Sequence, residues 1–431
     1  MFTRAFHPSV IMATAALLLG CTGCDKSRNP TGRSASGVTL HVNVDGSGKA
    51  FQLTQELSLD YEQRTGVRIE LIRGPSDTTE RLSQYLQFLG AKSPDIDLYQ
   101  VDVIWPAILA NHLLDLKDAF TTETEAFFPS QIKNDTVDGR LIAIPWYGDA
   151  GLLYFRSDLL AKYNLSQPPQ TWDELTTMAE LIQKGERATG KGDFWGYVWQ
   201  GKAYEGLTCN ALEWQASSGG GRIVEEGRRI NVNNPGARRA FERAAGWVGT
   251  ISPRGVTTYG EEEARQMFQS GNAAFLRNWP YVYSLASDNK SPVKGKFGAT
   301  VLPTGGTGHA ATLGGWHLAV SKYSPHPREA TEFVRFLASI PVQRRRALEA
   351  SMLPARVALY DDPEIASTVP LLPTMKQVFL EAVARPSAAA GEDYNEVSTY
   401  YFQAVHQILT GEKTAERALA DLDEALHEVL R

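Results

Sequence analysis

Two carboxylates stand where extended runs of chain give out: Asp102 ends one such run, and Asp149 follows another among aromatic side chains. Asp149 lies in Ile142 to Arg156, IAIPWYGDAGLLYFR, a segment too apolar for a surface loop yet carrying an acid between aromatics and two glycines. Pro145 interrupts that segment where a central ladder would lose a donor, so a continuous buried strand is not expected there. Trp146, Tyr147 and Asp149 together suit a partner with apolar faces and hydroxyls. Of the nine tryptophans, most are expected in the core, but Asn278-Trp279-Pro280-Tyr281 and Leu313-Gly314-Gly315-Trp316 put indoles at the ends of short strand-like runs. A cleft between sheets opens at such ends. An indole covers the apolar face of a pyranose, and carboxylates or guanidinium groups take its hydroxyls through charge-assisted hydrogen bonds. That combination favours sugar.

Other chemistries find less support. Val44 to Ala50, VDGSGKA, resembles a phosphate loop, but the Walker spacing needs glycine at Asn43 and Ser or Thr at Ala50. The eight histidines include no His-Glu-x-x-His pair, His317 beside Trp316 reads as packing, and no Gly-x-Ser-x-Gly elbow occurs. Neither a metal nor a cofactor is expected. A glycosidase would need two carboxylates within about 5 to 10 Å, and Asp102 with Asp149 is the pair that could supply them.

The elements that must position these residues alternate. Val38 to Val44, Val67 to Ile72 and Asp97 to Val103 read as strands, with helices over Phe51 to Thr65 and Thr79 to Leu89 between them. Such alternation predicts parallel sheets covered on both faces. Farther on, Thr171-Trp172-Asp173-Glu174 is a capping box, and Asn234-Pro235 gives a cap followed by a proline in the first turn. Ala415, Leu419, Leu422, Leu426 and Val429 carry a helical period to the end of the chain.

The chain has 431 residues, 43% of them hydrophobic, and a formal charge of −6. Its body is too long for one core and suggests two domains. Lys and Arg form no basic stripe, so nucleic acid is not an expected partner. Residues 1–20 read as a signal peptide: Arg4 supplies charge, and Val10 to Leu19 is apolar but too short to span a bilayer. Leu18-Leu19-Gly20-Cys21 resembles a bacterial lipobox, with Cys21 the lipidation site and Cys24 a second cysteine nearby. Residues 21–37 then form a polar, lipid-anchored tether unable to bury a core. Only Cys209 remains in the body, so no internal disulfide is available.

Several long blocks, in order, resemble the family 1 solute-binding lipoproteins of ABC importers, and within them the trehalose/maltose-binding proteins. They are IPWYGDAGLLYFRSDLL, PPQTWDEL, FWGYVWQGKAYEGLTCNALEW, MFQSGNAAFLRNWPYVY, SPVKGKFGATVLP and ATLGGWHLAVSKYS. The resemblance implies the two-lobed α/β periplasmic-binding-protein fold of type II, each lobe a mixed sheet flanked by helices and joined by crossing hinge segments. The lobes would take residues 38–146 with 303–355, and 147–302 with 356–431. Gly148 and Gly151 should leave the hinge room to bend.

The family's sugar contacts would fall on Arg81, Asp102, Tyr147, Asp149, Trp279, Gly315, Trp316 and Arg385. One departure is notable: where the family often offers the sugar an acid, Lys49 stands here, and a cation cannot accept from a hydroxyl, so Asp45 would substitute or the ligand would differ. The expectation is a monomeric, exported, membrane-tethered receptor that captures an α-linked disaccharide, trehalose first and maltose second, and delivers it to the transmembrane subunits of an ABC permease. It should not be an enzyme. The alternatives are an exported glycoside hydrolase using Asp102 and Asp149, or a receptor of the same fold for another glucoside or a polyol.

Overall fold

The computed structural model describes residues 37–46, 48–369 and 372–431. The expected signal peptide, Cys21 and Cys24, and all of the tether but Gly37 lie outside the described residues.

Near its start the chain lays down β1 (Thr39–Asp45), α1 (Gly48–Thr65), β2 (Arg68–Gly74), α2 (Thr78–Gly90) and β3 (Leu98–Asp102), close to the expected bounds. The period of two decides which face each helix covers. Leu40, Val42 and Val44 of β1 pack under Phe51 and Leu57 of α1. On the opposite face, Tyr85 of α2 packs edge-on against Tyr99 at 4.7 Å and donates its hydroxyl to Asn43. β2, β1 and β3 are parallel neighbours.

The sheet is mixed rather than parallel. β4 (Ile144–Ala150), β5 (Leu152–Phe155), β6 (Trp195–Val198), β7 (Ala273–Asn278), β8 (Gly298–Thr300), β9 (Leu313–Val320) and β10 (Leu353–Pro354) follow in the chain. The larger sheet runs β10-β4-β9-β3-β1-β2, and the smaller runs β8-β5-β7-β6. β9 returns from a distant part of the chain and inserts antiparallel between β3 and β4. Alternation of strands with helices near the N-terminus carries no information about such an insertion.

Ile142 to Arg156 departs from its expected form. Ile144–Ala150 is one strand, buried at every residue, and Pro145 lies inside it. The ladder survives because its register with β9 shifts between Trp316 and His317, so that Trp316 opposes Tyr147 while His317 opposes Pro145. A bulge accommodates the missing donor. Gly148 is not a bend: it is paired to Gly315 and Leu353, and a Cβ there would stand 2.7 Å from the Phe379 ring.

The chain passes from the larger sheet to the smaller at Gly151, so the expected boundary at 146/147 falls inside β4. A Cβ at Gly151 would stand 2.2 Å from the Glu213 carboxylate and 2.7 Å from Arg277. Those two groups form a fully buried ion pair, and Glu213 also accepts from the backbone N–H of Thr312, on the segment that returns to β9. Val383 bridges the same returning segment through Ala311 and Leu313. Two connections between the sheets therefore lie side by side against one buried charge pair, and the segment at Val383 pairs with one of them.

Candidate functional site

Tyr147 and Asp149, two residues apart on β4, point to the same face because the strand remains extended. β9 beside them carries Gly314 and Gly315, which add no side chain of their own. A Cβ at Gly314 would meet the Trp279 ring at 3.0 Å and Asp149 at 3.3 Å. Gly315 has φ +137° and a Cβ there would stand 2.9 Å from the Tyr147 carbonyl, so only glycine adopts it without strain. Over this bare strip opens a cavity of about 320 Å³ between the two sheets.

Two indoles line it, Trp316 from the larger sheet and Trp279 from the end of a strand of the smaller. Trp316, within β9 and paired with Asp102 at the end of β3, rests on the Arg81 guanidinium, 4.7 Å from its ring centre, and packs edge-on against Trp105 at 5.6 Å. Trp279 follows β7, lies over the Arg277 guanidinium at 4.1 Å and donates its indole N–H to Glu261 at 3.3 Å. Each ring is thus fixed from behind by a buried cation. The exposed faces are left for a ligand.

Carboxylates fill the space between. Arg385 donates to Asp102 at 2.6 Å and to Glu205 at 2.9 Å, tying the end of β3 to helix α3 (Glu205–Ser217). Burial opposes charge on Arg385, but Asp102 and Glu205 hold its pKa well above the ordinary arginine value. Tyr394 and Ser398 also donate to Glu205, and Tyr204 donates to Glu261. Burial raises the pKa of both Glu205 and Glu261. Asp149 is different. Burial first, and then the neighbouring Asp102, push its carboxyl up to about 8, and its Oδ1 has no hydrogen-bond partner among the described residues.

The mouth is bridged as well. Asp77 accepts from Thr79 and Glu80 as the cap of α2, and it also accepts from Lys202 at 2.6 Å. Thr79 Oγ1 accepts from the backbone N–H of Glu205 at 3.2 Å.

Of the expected contacts, Asp102, Tyr147, Asp149, Trp279, Gly315, Trp316 and Arg385 line the cavity, as do Asp45 and the exposed Lys49. Arg81 does not line it. It is fully buried behind Trp316, donates to the Pro75 carbonyl and faces Asp45 at 3.6 Å, so it supports the ring instead of reaching the cavity. Gln100, Glu205, Glu261 and Arg346 also line the cavity and were not expected. Glu205 lies in FWGYVWQGKAYEGLTCNALEW, whose likeness to the family gave the available signal. Gln100 and Arg346 carry no motif. Among the described residues no cluster could hold a metal ion.

A cleft of aromatics and carboxylates between two sheets, with side-by-side crossings, is a ligand clamp. Residues 45–344 match the model of the bacterial extracellular solute-binding proteins. The chain belongs to that family. This solute-binding protein is similar to a probable ABC transporter-binding protein of Deinococcus radiodurans, 46% identical over 92% of this chain and 94% of the relative. The maltose-bound structure of T. maritima MalE3 covers 91% of the chain and 100% of its own length, with 38% identity and a TM-score of 0.86. The maltodextrin-binding protein MdxE of Bacillus subtilis is 25% identical over 76% of each chain. The fold is the type II periplasmic binding fold, and the protein is the solute-binding component of an ABC importer, not an enzyme. Its family is extracellular, and among the described residues no helix is long and apolar enough to cross a membrane.

Proposed function

We propose that this receptor captures an α-linked disaccharide, trehalose first and maltose second, and presents it to the permease. The observation that carries this reading is the pairing of Trp279 and Trp316 across a carboxylate-rich cavity. The two rings stack on the apolar faces of glucose units, while Asp102, Glu205 and Glu261 accept from hydroxyls and the protonated Asp149 accepts through its unpartnered Oδ1. At about 320 Å³ the cavity is at the lower end of ligand sites, ~300–1,000 Å³, which favours a short saccharide over a long dextrin. The maltose in the T. maritima relative, similar along nearly the whole chain, supports the same class. Exposed Lys49 at the cavity edge donates to a ligand oxygen, and Asp45 is the acceptor there.

In this reading one lobe contains the larger sheet and the other the smaller, Gly151 and the segment before β9 are hinges, and ligand shared between lobes favours the closed form. Cys21 carries the lipid, residues 21–37 tether the body, and the receptor acts as a monomer. Calorimetric titration against a disaccharide panel tests the assignment. Trehalose or maltose should bind with a dissociation constant of about 1 μM or tighter, roughly −8 kcal/mol. Absence of heat with every α-glucoside, together with binding of a polyol, would replace it with the polyol reading.

A further inference from the structure

Gln100 lies on β3 between two elements that the cavity brings together. It is 1% exposed, and both its amide atoms are engaged. Its Oε1 accepts from the backbone N–H of Asp45 at 2.8 Å, and its Nε2 faces the Tyr147 hydroxyl at 3.2 Å. Its own backbone carbonyl lies 3.0 Å from the Tyr85 hydroxyl, whose one hydrogen it shares with Asn43 Oδ1.

These bonds have a direction. A backbone N–H can only donate, so the atom facing Asp45 is the amide oxygen and the atom facing Tyr147 is the amide nitrogen. An amide nitrogen cannot accept. The Tyr147 oxygen therefore accepts from Gln100, and its single hydrogen remains to be donated. Tyr147 is 6% exposed and lines the cavity, and among the described residues no protein acceptor takes that hydrogen. A buried hydroxyl without an acceptor is costly, and a ligand oxygen relieves that cost.

We propose that Gln100 is a positioning residue that leaves the Tyr147 hydrogen for the ligand, so that the ligand presents a hydroxyl oxygen as acceptor at Tyr147. The proposal rests on the saccharide reading of the cavity.

The test is calorimetric titration of the full chain with trehalose, maltose and their monodeoxy analogues, using wild type, Tyr147→Phe and Gln100→Glu. Glutamate keeps the bond from Asp45 but offers Tyr147 only an acceptor, so the phenol hydrogen turns away from the ligand. Each variant should bind the parent sugar roughly tenfold more weakly, the effect of one such hydrogen bond, and the double variant should be no weaker than either. For a single deoxy position the wild type should lose that same factor and the Tyr147→Phe penalty should vanish. A Gln100 that merely supported the fold would weaken every analogue alike. Equal penalties across the analogues, or additive ones in the double variant, overturn the proposal while the saccharide reading stands. Wild type that binds no glycoside overturns both. If Gln100→Glu does not fold, Gln100→Met takes its place: a loss confined to the same deoxy position supports the proposal, and an equal loss on every analogue overturns it.

Discussion

Asp149 faces Asp102 from β3, Arg277 from β7, Tyr147 on its own strand, and Tyr154 and Tyr360 from neighbouring elements. Burial lifts its pKa from the ordinary 3.8 to about 8, Asp102 adds to the shift, and Arg277 opposes it. The folded protein therefore keeps a proton that the unfolded chain has already lost. Between pH 3.8 and about 8 the unfolded state gains by ionising and the folded state does not, so stability falls as pH rises, by up to ~1.4 kcal/mol per unit. Above about 8 both states are ionised and the slope ends. Scanning calorimetry of the ligand-free protein should show a melting temperature that declines from pH 5 to 8. Asp149→Asn, an isostere of the neutral acid, should remove part of that decline; the same slope in the variant would contradict the assignment.

At the scale of elements, β9 carries two adjacent glycines for different reasons. Gly315 is needed by the backbone, with φ +137° and the Tyr147 carbonyl 2.9 Å from any Cβ. Gly314 has no such φ, and its absent side chain leaves room for Trp279 from the end of β7. Gly315→Ala should destabilise the fold by ~1–3 kcal/mol, read from denaturant unfolding. Gly314→Ala should leave stability within about 1 kcal/mol but weaken saccharide binding roughly tenfold, since the added methyl displaces one indole. Equal losses of stability in both would show that Gly314 is also a backbone requirement.

For the whole molecule, the bonds between the two sides matter more than any one pair's strength. Lys202 with Asp77, Thr79 with the Glu205 amide and Arg385 with Asp102 all join groups from opposite sides of the cavity. A partly exposed ion pair contributes little to folding, ~0.2–1 kcal/mol. Lys202→Met should accordingly leave the melting temperature nearly unchanged, raise the ligand's dissociation rate about two- to fivefold, and enlarge the free protein's radius of gyration in small-angle scattering. An unaltered radius would show that this pair does not hold the two sides together.

What the chain determined by itself was local or came in blocks. The first strands and helices, the capping box at Thr171 and the cap at Asn234 follow from period and short-range hydrogen bonds, which need no distant partner. The aromatic and acidic residues around Tyr147, Asp149, Trp279 and Trp316 were legible because their types fit sugar and because long blocks resembled one family. Tertiary structure decided the rest. Pro145 reads as a break until β9, from nearly 170 positions away, supplies a bulged partner, and Arg81 reads as a ligand contact until Trp316 is seen to cover it. Gln100 carries no sequence signal, since its role is a direction of hydrogen bonding fixed by Asp45 and Tyr147 on two other strands. Pairing across long sequence separations is set by packing and register, which single-residue propensities do not encode.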